Sequence, residues 1–208
     1  MVGPTLEIIG DLAKSIATLP VTARRQLIAV AGPPASGKST LAAALVEHLN
    51  QNAKIAALIP MDGFHLDNHI LTTRGLLARK GAPETFDAAG FIHMIQRLAT
   101  EDEVVIPVFD RAQDIAIAGA QSVGADTKIA VVEGNYLLLT EPPWECLQAF
   151  WDLSIYLDVP LDEIERRSVQ RWLDHDMSPE DAVARARSND VPNAVRVSRN
   201  NTSADIIL

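Results

Sequence analysis

Residues 26 to 50, QLIAVAGPPASGKSTLAAALVEHLN, join an apolar strand, a glycine-bounded loop and a helix without interruption, and that order leaves few folds open. Gly32 to Ser39 match GxxxxGK[ST], with Pro33, Pro34, Ala35 and Ser36 between the glycines. The two glycines let the backbone curl until successive amides converge on one concavity, a nest that takes polyphosphate oxygens as acceptors. Lys38 adds a cation able to reach the outer phosphates, and the Ser39 hydroxyl, followed by Thr40, is placed to ligate magnesium. The helix dipole favours the same anion.

Context separates this loop from a chance glycine-lysine turn. Leu27 to Ala31 are an apolar run suited to a buried parallel strand, and Leu41, Leu45 and Leu49 repeat at helical spacing. The pattern implies a nucleoside triphosphate held by Gly32, Pro33, Ala35, Ser36, Gly37, Lys38, Ser39 and Thr40.

A chain of 208 residues, 48% of them hydrophobic, is most simply one α/β domain spanning residues 1–208. The formal charge of -9 argues against a nucleic-acid partner, since such partners select a basic face. Cys146 is the only cysteine, which excludes an intrachain disulfide or a thiolate-rich metal site and fits a reducing cytoplasm. Glu7, Asp11 and Lys14 interrupt the apolar positions near the N-terminus, unlike a signal peptide, and no run is long enough to span a membrane. The expectation is a cytoplasmic protein with no membrane partner; a homodimer is left open.

Ahead of the loop, Leu6, Ile9, Leu12, Ala13, Ile16 and Leu19 recur as one helical face, with Thr5 as its cap and Pro20 as its stop. Further strands are expected at Lys54–Pro60, Val104–Phe109, Lys128–Val132, Leu153–Leu157 and Ala204–Leu208. Two of them end in acids. Asp62, in MDGFH, and Glu133, in VVEGNY, follow strands whose carboxyl ends are where open α/β sheets collect ligands; the alternative for each is a turn acid beside a glycine. Residues 72 to 87, TTRGLLARKGAPETFD, read as a loop leading to a helix capped by Asp87, with Arg74, Arg79, Lys80 and Glu84 either beside the site or on a solvated face.

Pro160 to His175 form a helix carrying Arg166, Arg167 and Arg171, and Ser178-Pro179-Glu180-Asp181 start another, a pair that suits a lid over about residues 160–190. Arg167 and Arg171 lie at i, i+4, where like charges repel unless an anion lies between them. Asp162 and Glu163 could instead pair with Arg166 and Arg167; Arg167 and Arg171, as members of exposed ion pairs, are expected to contribute little to stability.

Taken in order, GPPASGKST, MDGFH, RKGAPETFD, PVFD, VVEGNY and the arginine helix resemble the uridine kinase, phosphoribulokinase and pantothenate kinase family over nearly the whole chain, and among its members the bacterial proteins named fructose transport system kinases. The resemblance implies a P-loop NTPase three-layer sandwich with a mainly parallel sheet and a helical lid, using ATP and Mg2+ to phosphorylate a hydroxyl of a small molecule such as a sugar, nucleoside or pantothenate-like compound. It implies Asp62 as the base, Glu133 as a magnesium ligand with Ser39, Glu84 at sugar hydroxyls, Lys38, Arg167 and Arg171 on the phosphates, and His65, Arg79, Lys80 and Tyr136 toward the substrate. RVSRNNTSADIIL resembles the segment beside adenine in uridine kinases, which implies Ser198, Arg199 and Asn200 near the base. A nucleotide-dependent switch acting on a protein partner is the alternative. The chain has no NKxD guanine motif, and a switch has little use for Asp62, Glu84 and a basic acceptor loop together.

Overall fold

The computed structural model describes residues 5–208. In chain order its strands are β1 (Gln26–Ala31), β2 (Ala56–Pro60), β3 (Val104–Asp110), β4 (Ile115–Val123), β5 (Ile129–Gly134), β6 (Leu153–Tyr156) and β7 (Ile206–Ile207). The helices are α1 (Leu6–Ala17), α2 (Lys38–Leu49), α3 (Asn68–Thr73), α4 (Ala88–Thr100), α5 (Leu161–Leu173), α6 (Pro179–Arg185) and α7 (Val191–Arg199). None of them is long and apolar enough to cross a membrane.

Five strands form one parallel sheet in the order β2–β5–β1–β6–β7. Every residue of β1 is buried, so alternate side chains feed cores on opposite faces. Ile28 and Val30 pack with Ile9, Leu12 and Ile16 of α1 and with Leu41 and Leu45 of α2. Leu27 and Ala29 face Phe91, Ile95 and Leu98 of α4 together with Trp144 and Tyr136. Each large apolar side chain removed from water in this way contributes roughly 1.5–3 kcal/mol, and helices on both faces complete the three layers. Thr5 caps α1 by accepting from the Ile8 amide, as its sequence suggests. Leu6 instead stays 85% exposed, because the helix meets the sheet only through its Ile9–Leu12–Ile16 stripe.

Register positions the site. Pro60 and Val30 both align with Glu133, and Ala31 aligns with Gly134 on one side and Tyr156 on the other. The chain therefore leaves β1, β2 and β5 at one level of the sheet, the carboxyl ends.

Val104–Phe109, expected as a further strand of the series, departs from the sheet. As β3 it pairs antiparallel with β4 in a separate two-stranded ribbon. β4 is not signalled by its sequence: IAIAGAQSV is exposed from Ile115 to Ala120 and lacks apolar-polar alternation. The turn has no glycine either; Asp114 itself takes φ 57°, and the Asp110 carboxylate accepts from the amides of Ala112 and Gln113.

Two contacts fasten this ribbon. A Cβ at Gly63 would overlap the Pro107 carbonyl, so only glycine lets the turn after β2 lie against β3. Arg25, 1% exposed, donates to the carbonyls of Leu98, Glu101, Asp102 and Gly124 at 2.5–3.0 Å, tying the end of α4 to both roots of the ribbon. Replacing Arg25 with methionine keeps most of the volume and removes the donors, leaving buried carbonyls without partners. Arg25→Met should lower unfolding free energy by roughly 2–4 kcal/mol in a denaturant titration, and unchanged stability would show that the clip is dispensable.

Candidate active site

The loop between β1 and α2 is held in shape before any ligand arrives. The Ser36 amide donates to the Pro33 carbonyl at 3.2 Å, Ala35 takes φ 59°, and Gly37 caps α2 with φ 99°, a conformation that a side chain would strain. Lys38 extends back over the loop, its Nζ 3.5 Å from the Pro33 carbonyl oxygen. Burial pushes the Lys38 ammonium pKa down, while Glu133 first and then Asp62 push it back up.

Those two carboxylates reach the lysine from neighbouring strands. Glu133, the fifth residue of β5, is 5% exposed; burial raises its carboxyl pKa, and Lys38 is the largest influence lowering it, with the Ser39 hydroxyl a further one. Asp62 sits in the 3-10 turn Met61–Phe64 that follows β2. Lys38, Ser39, Thr40, Asp62 and Glu133 all line one cavity of about 950 Å³, within the range of small-molecule sites. The described residues hold no cluster of three metal-ligating side chains. Hydroxyl and carboxylate oxygens facing a phosphate loop suit magnesium, which keeps several waters and shares one or two carboxylates with substrate phosphates.

Away from the loop the cavity has aromatic walls. The His65 ring lies 4.0 Å from the Phe86 centroid and 4.8 Å from that of Phe109, and its Nδ1 is 2.8 Å from the Asp62 carbonyl oxygen, which assigns the ring proton to Nδ1. Burial is the largest influence on His65 and pushes its pKa down, favouring neutral imidazole. Lys80 is committed to the Asn68 Oδ1 at 2.8 Å, the Asp114 carbonyl at 3.0 Å and the Asp114 carboxylate at 2.8 Å.

Helix α5 closes the other side. Arg167 donates to Glu163 at 2.6 Å and to the Ser36 carbonyl at 3.2 Å, so it already touches the phosphate loop. Glu163 pairs with Arg166 as well, and the two arginines hold its carboxyl down at about 2. Arg171 lies 4.9 Å from the Trp172 ring and donates to Asp190, whose other oxygen accepts from Trp172 Nε1 at 2.6 Å. Here the expectation of an exposed pair is corrected: the Asp190 side chain is 7% exposed, because the π-helical turn Ala186–Asp190 folds it inward.

The remaining expected residues stand elsewhere. Arg79 donates to Ser188 and Asn193 and lies 3.8 Å from Glu84, which also pairs with Arg196 at 2.9 Å. Tyr136 is buried, and its hydroxyl donates to the Gly81 carbonyl. None of Arg79, Glu84 and Tyr136 lines the cavity, and neither do Ser198, Arg199 and Asn200. The segment read as lying beside a base is the end of a helix, α7, where Ser198 bonds the Ala194 carbonyl and Asn200 bonds Glu141. Conversely, Phe86, Phe109, Arg111, Asp114, Asn135, Trp172 and Asp190 line the cavity without having been singled out. Phe86, Phe109 and Asn135 fall within RKGAPETFD, PVFD and VVEGNY, and Arg111 directly follows the strand that ends in PVFD, but a ribbon outside the sheet hides the meaning of that position in the sequence.

The family model described as "Phosphoribulokinase / Uridine kinase family" matches residues 27–178. A provisionally named uridine kinase of Schizosaccharomyces pombe is 35% identical over 195 residues, covering 89% of this chain and 83% of that protein. The pantothenate kinase of Myxococcus xanthus is 33% identical, covering 71% of this chain and 49% of that enzyme. The crystal structure of a provisionally named fructose transport system kinase from Silicibacter sp. TM1040 superposes with a TM-score of 0.92 at 47% identity, covering 99% of this chain and all of the other.

Removing Arg171 would strand a buried carboxylate with Trp172 Nε1 as its remaining side-chain donor. Arg171→Ala should therefore cost roughly 1–3 kcal/mol of stability, measured by chemical denaturation, whereas the exposed Arg166→Ala should stay within about 0.5 kcal/mol. Equal effects would assign Asp190 no structural role.

Proposed function

The chain belongs to the phosphoribulokinase/uridine kinase family, and from that premise we propose that it is an ATP-dependent kinase that transfers the γ-phosphoryl group to a hydroxyl of a sugar, nucleoside or pantothenate-like molecule. The observation that carries this reading is the convergence of Asp62 and Glu133 on the phosphate-loop Lys38 inside one cavity. A hydrolytic or switching site needs no carboxylate reserved for an acceptor, whereas phosphorylation of an alcohol does.

Phosphoryl transfer calls chiefly for positioning and charge neutralisation. Amides of the loop and the α2 N-terminus receive the β- and γ-phosphates, and Lys38 offsets their charge. Arg167 and Arg171 approach from α5; with α6 they form the lid, over about residues 160–190, of a single domain. Ser39 and Glu133 would hold magnesium, which when bound supplies further neutralisation of phosphate charge. Asp62 accepts the acceptor's hydroxyl proton as that oxygen bonds to phosphorus and the bond from phosphorus to the ADP oxygen breaks. Neutral His65, Phe86 and Phe109 offer the acceptor an apolar wall that keeps water from the reacting oxygen.

ATP consumption measured with a panel of sugars, nucleosides and pantothenate tests the reading: acceptor-dependent turnover supports it, and slow hydrolysis indifferent to every acceptor supports a switch. With a working acceptor, Asp62→Asn should lower the rate roughly a hundred- to ten-thousandfold while ATP affinity changes little. Lys38→Ala should lower it by about a hundredfold or more with the fold retained. A rate restored to Asp62→Asn by excess magnesium would move that carboxylate into the metal shell.

A further inference from the structure

Asp62 is held by a residue from outside its own segment. Arg111 Nη2, at the tip of the β3–β4 ribbon, donates to Asp62 Oδ2 at 2.5 Å, and both side chains line the cavity. Oδ1 takes no hydrogen bond among the described residues: His65 Nδ1 lies 4.0 Å away and is committed to the Asp62 carbonyl.

The guanidinium arrives on a braced support. On one side of it Asp110 closes the turn through the amides of Ala112 and Gln113 and the Gln113 side chain. On the other, Asp114 is gripped by Lys80 at 2.8 Å and Asn68 at 2.7 Å. The Arg25 clip fixes the root of the same ribbon. An ordinary surface ion pair, contributing about 0–1 kcal/mol, does not require such support; here the Asp62 side chain is 22% exposed at the cavity wall and the guanidinium reaches it from the solvent side, 62% exposed.

We propose that Arg111 is a positioning residue for Asp62: its Nη2 holds Oδ2 and turns Oδ1 toward the acceptor hydroxyl. This rests on the reading of Asp62 as the base. During transfer the acceptor proton passes to Oδ1, the acceptor oxygen bonds to phosphorus, the bond to the ADP oxygen breaks, and Arg111 neither gains nor loses a proton. The direction and reach of the donor matter as well as the charge, since the guanidinium N–H lies in a fixed plane, whereas an ammonium is a freely rotating point charge on a shorter stem.

The test compares Arg111→Ala, Arg111→Lys, Asp62→Asn and the double variant Arg111→Ala/Asp62→Asn, with ATP, magnesium and each of D-fructose, uridine and pantothenate. Misplacing a reacting group costs up to about a hundredfold, so Arg111→Ala should lower acceptor-dependent kcat roughly ten- to a hundredfold with KM for ATP within about twofold. Arg111→Lys should recover only part of the loss, and the double variant should be no slower than Asp62→Asn alone. An unchanged rate, full recovery by lysine, or a further tenfold loss in the double variant would overturn the proposal. If the wild type turns over none of the three compounds, the kinase reading is what fails, and crystal structures decide the role of Arg111 independently. A rotated Asp62 carboxylate in Arg111→Ala supports the proposal; the same rotamer overturns it. Should the alanine variant not fold, as judged by its thermal transition, Arg111→Gln keeps the length of the side chain and takes its place in both measurements.

Discussion

The register of the parallel ladder is the constraint on which the site depends. Because Pro60 and Val30 both stand opposite Glu133, the turn bearing Asp62 and the loop bearing Lys38 begin within one residue step of the same level. A slip of one residue in β5 would turn Glu133 to the opposite face and exchange the two cores. Burial on both faces prevents that slip: Val131 belongs to the α1–α2 side, while Ala130 and Val132 belong to the α4 side. Packing of ordinary aliphatic side chains thus sets the relative positions of Lys38, Asp62 and Glu133 at the edge of the core.

Electrostatics are concentrated by the same arrangement. The chain carries a formal charge of -9, yet Lys38, Arg166, Arg167, Arg171 and Arg185 gather around one cavity. On the α5 side of the cavity this cluster of cations within low-dielectric walls focuses the field on an incoming anion, even on an acidic protein, while Asp62 and Glu133 stand across from it. Glu163 pairs with Arg166 and Arg167 and Asp190 with Arg171, which lets α5 carry its arginines on adjacent turns without a bound anion between them.

How far the sequence reveals this depends on whether a feature is local. The phosphate loop, α2, the capped α1 and the acids at the ends of β2 and β5 are written in contiguous residues, and so is the helix Leu161–Leu173 with its arginines. The ribbon is not. β4 draws its stability from β3 and from Arg25, so its exposed alanines and glycine show no periodicity, and the role of Arg111 follows only once the ribbon folds against Gly63. Arg25 likewise reads as one more charge beside Arg24, although it makes its contacts some 73 to 99 residues away. Glu84 and Arg79 pair with residues of the distant C-terminal segment for the same reason.

The two prolines in the phosphate loop have a consequence for when order is acquired. Pro33 and Pro34 contribute no amide donors and restrict φ, and the Ser36 amide is already bonded to the Pro33 carbonyl. The first half of the loop is thus stiff scaffold, and the amides from Gly37 onward are left to meet a ligand. Such a loop loses little conformational entropy when a nucleotide arrives. Across the cleft Arg167 and Arg171 are likewise held in place, by Glu163 and Asp190, so both walls that would meet an anion are ordered by contacts within the chain.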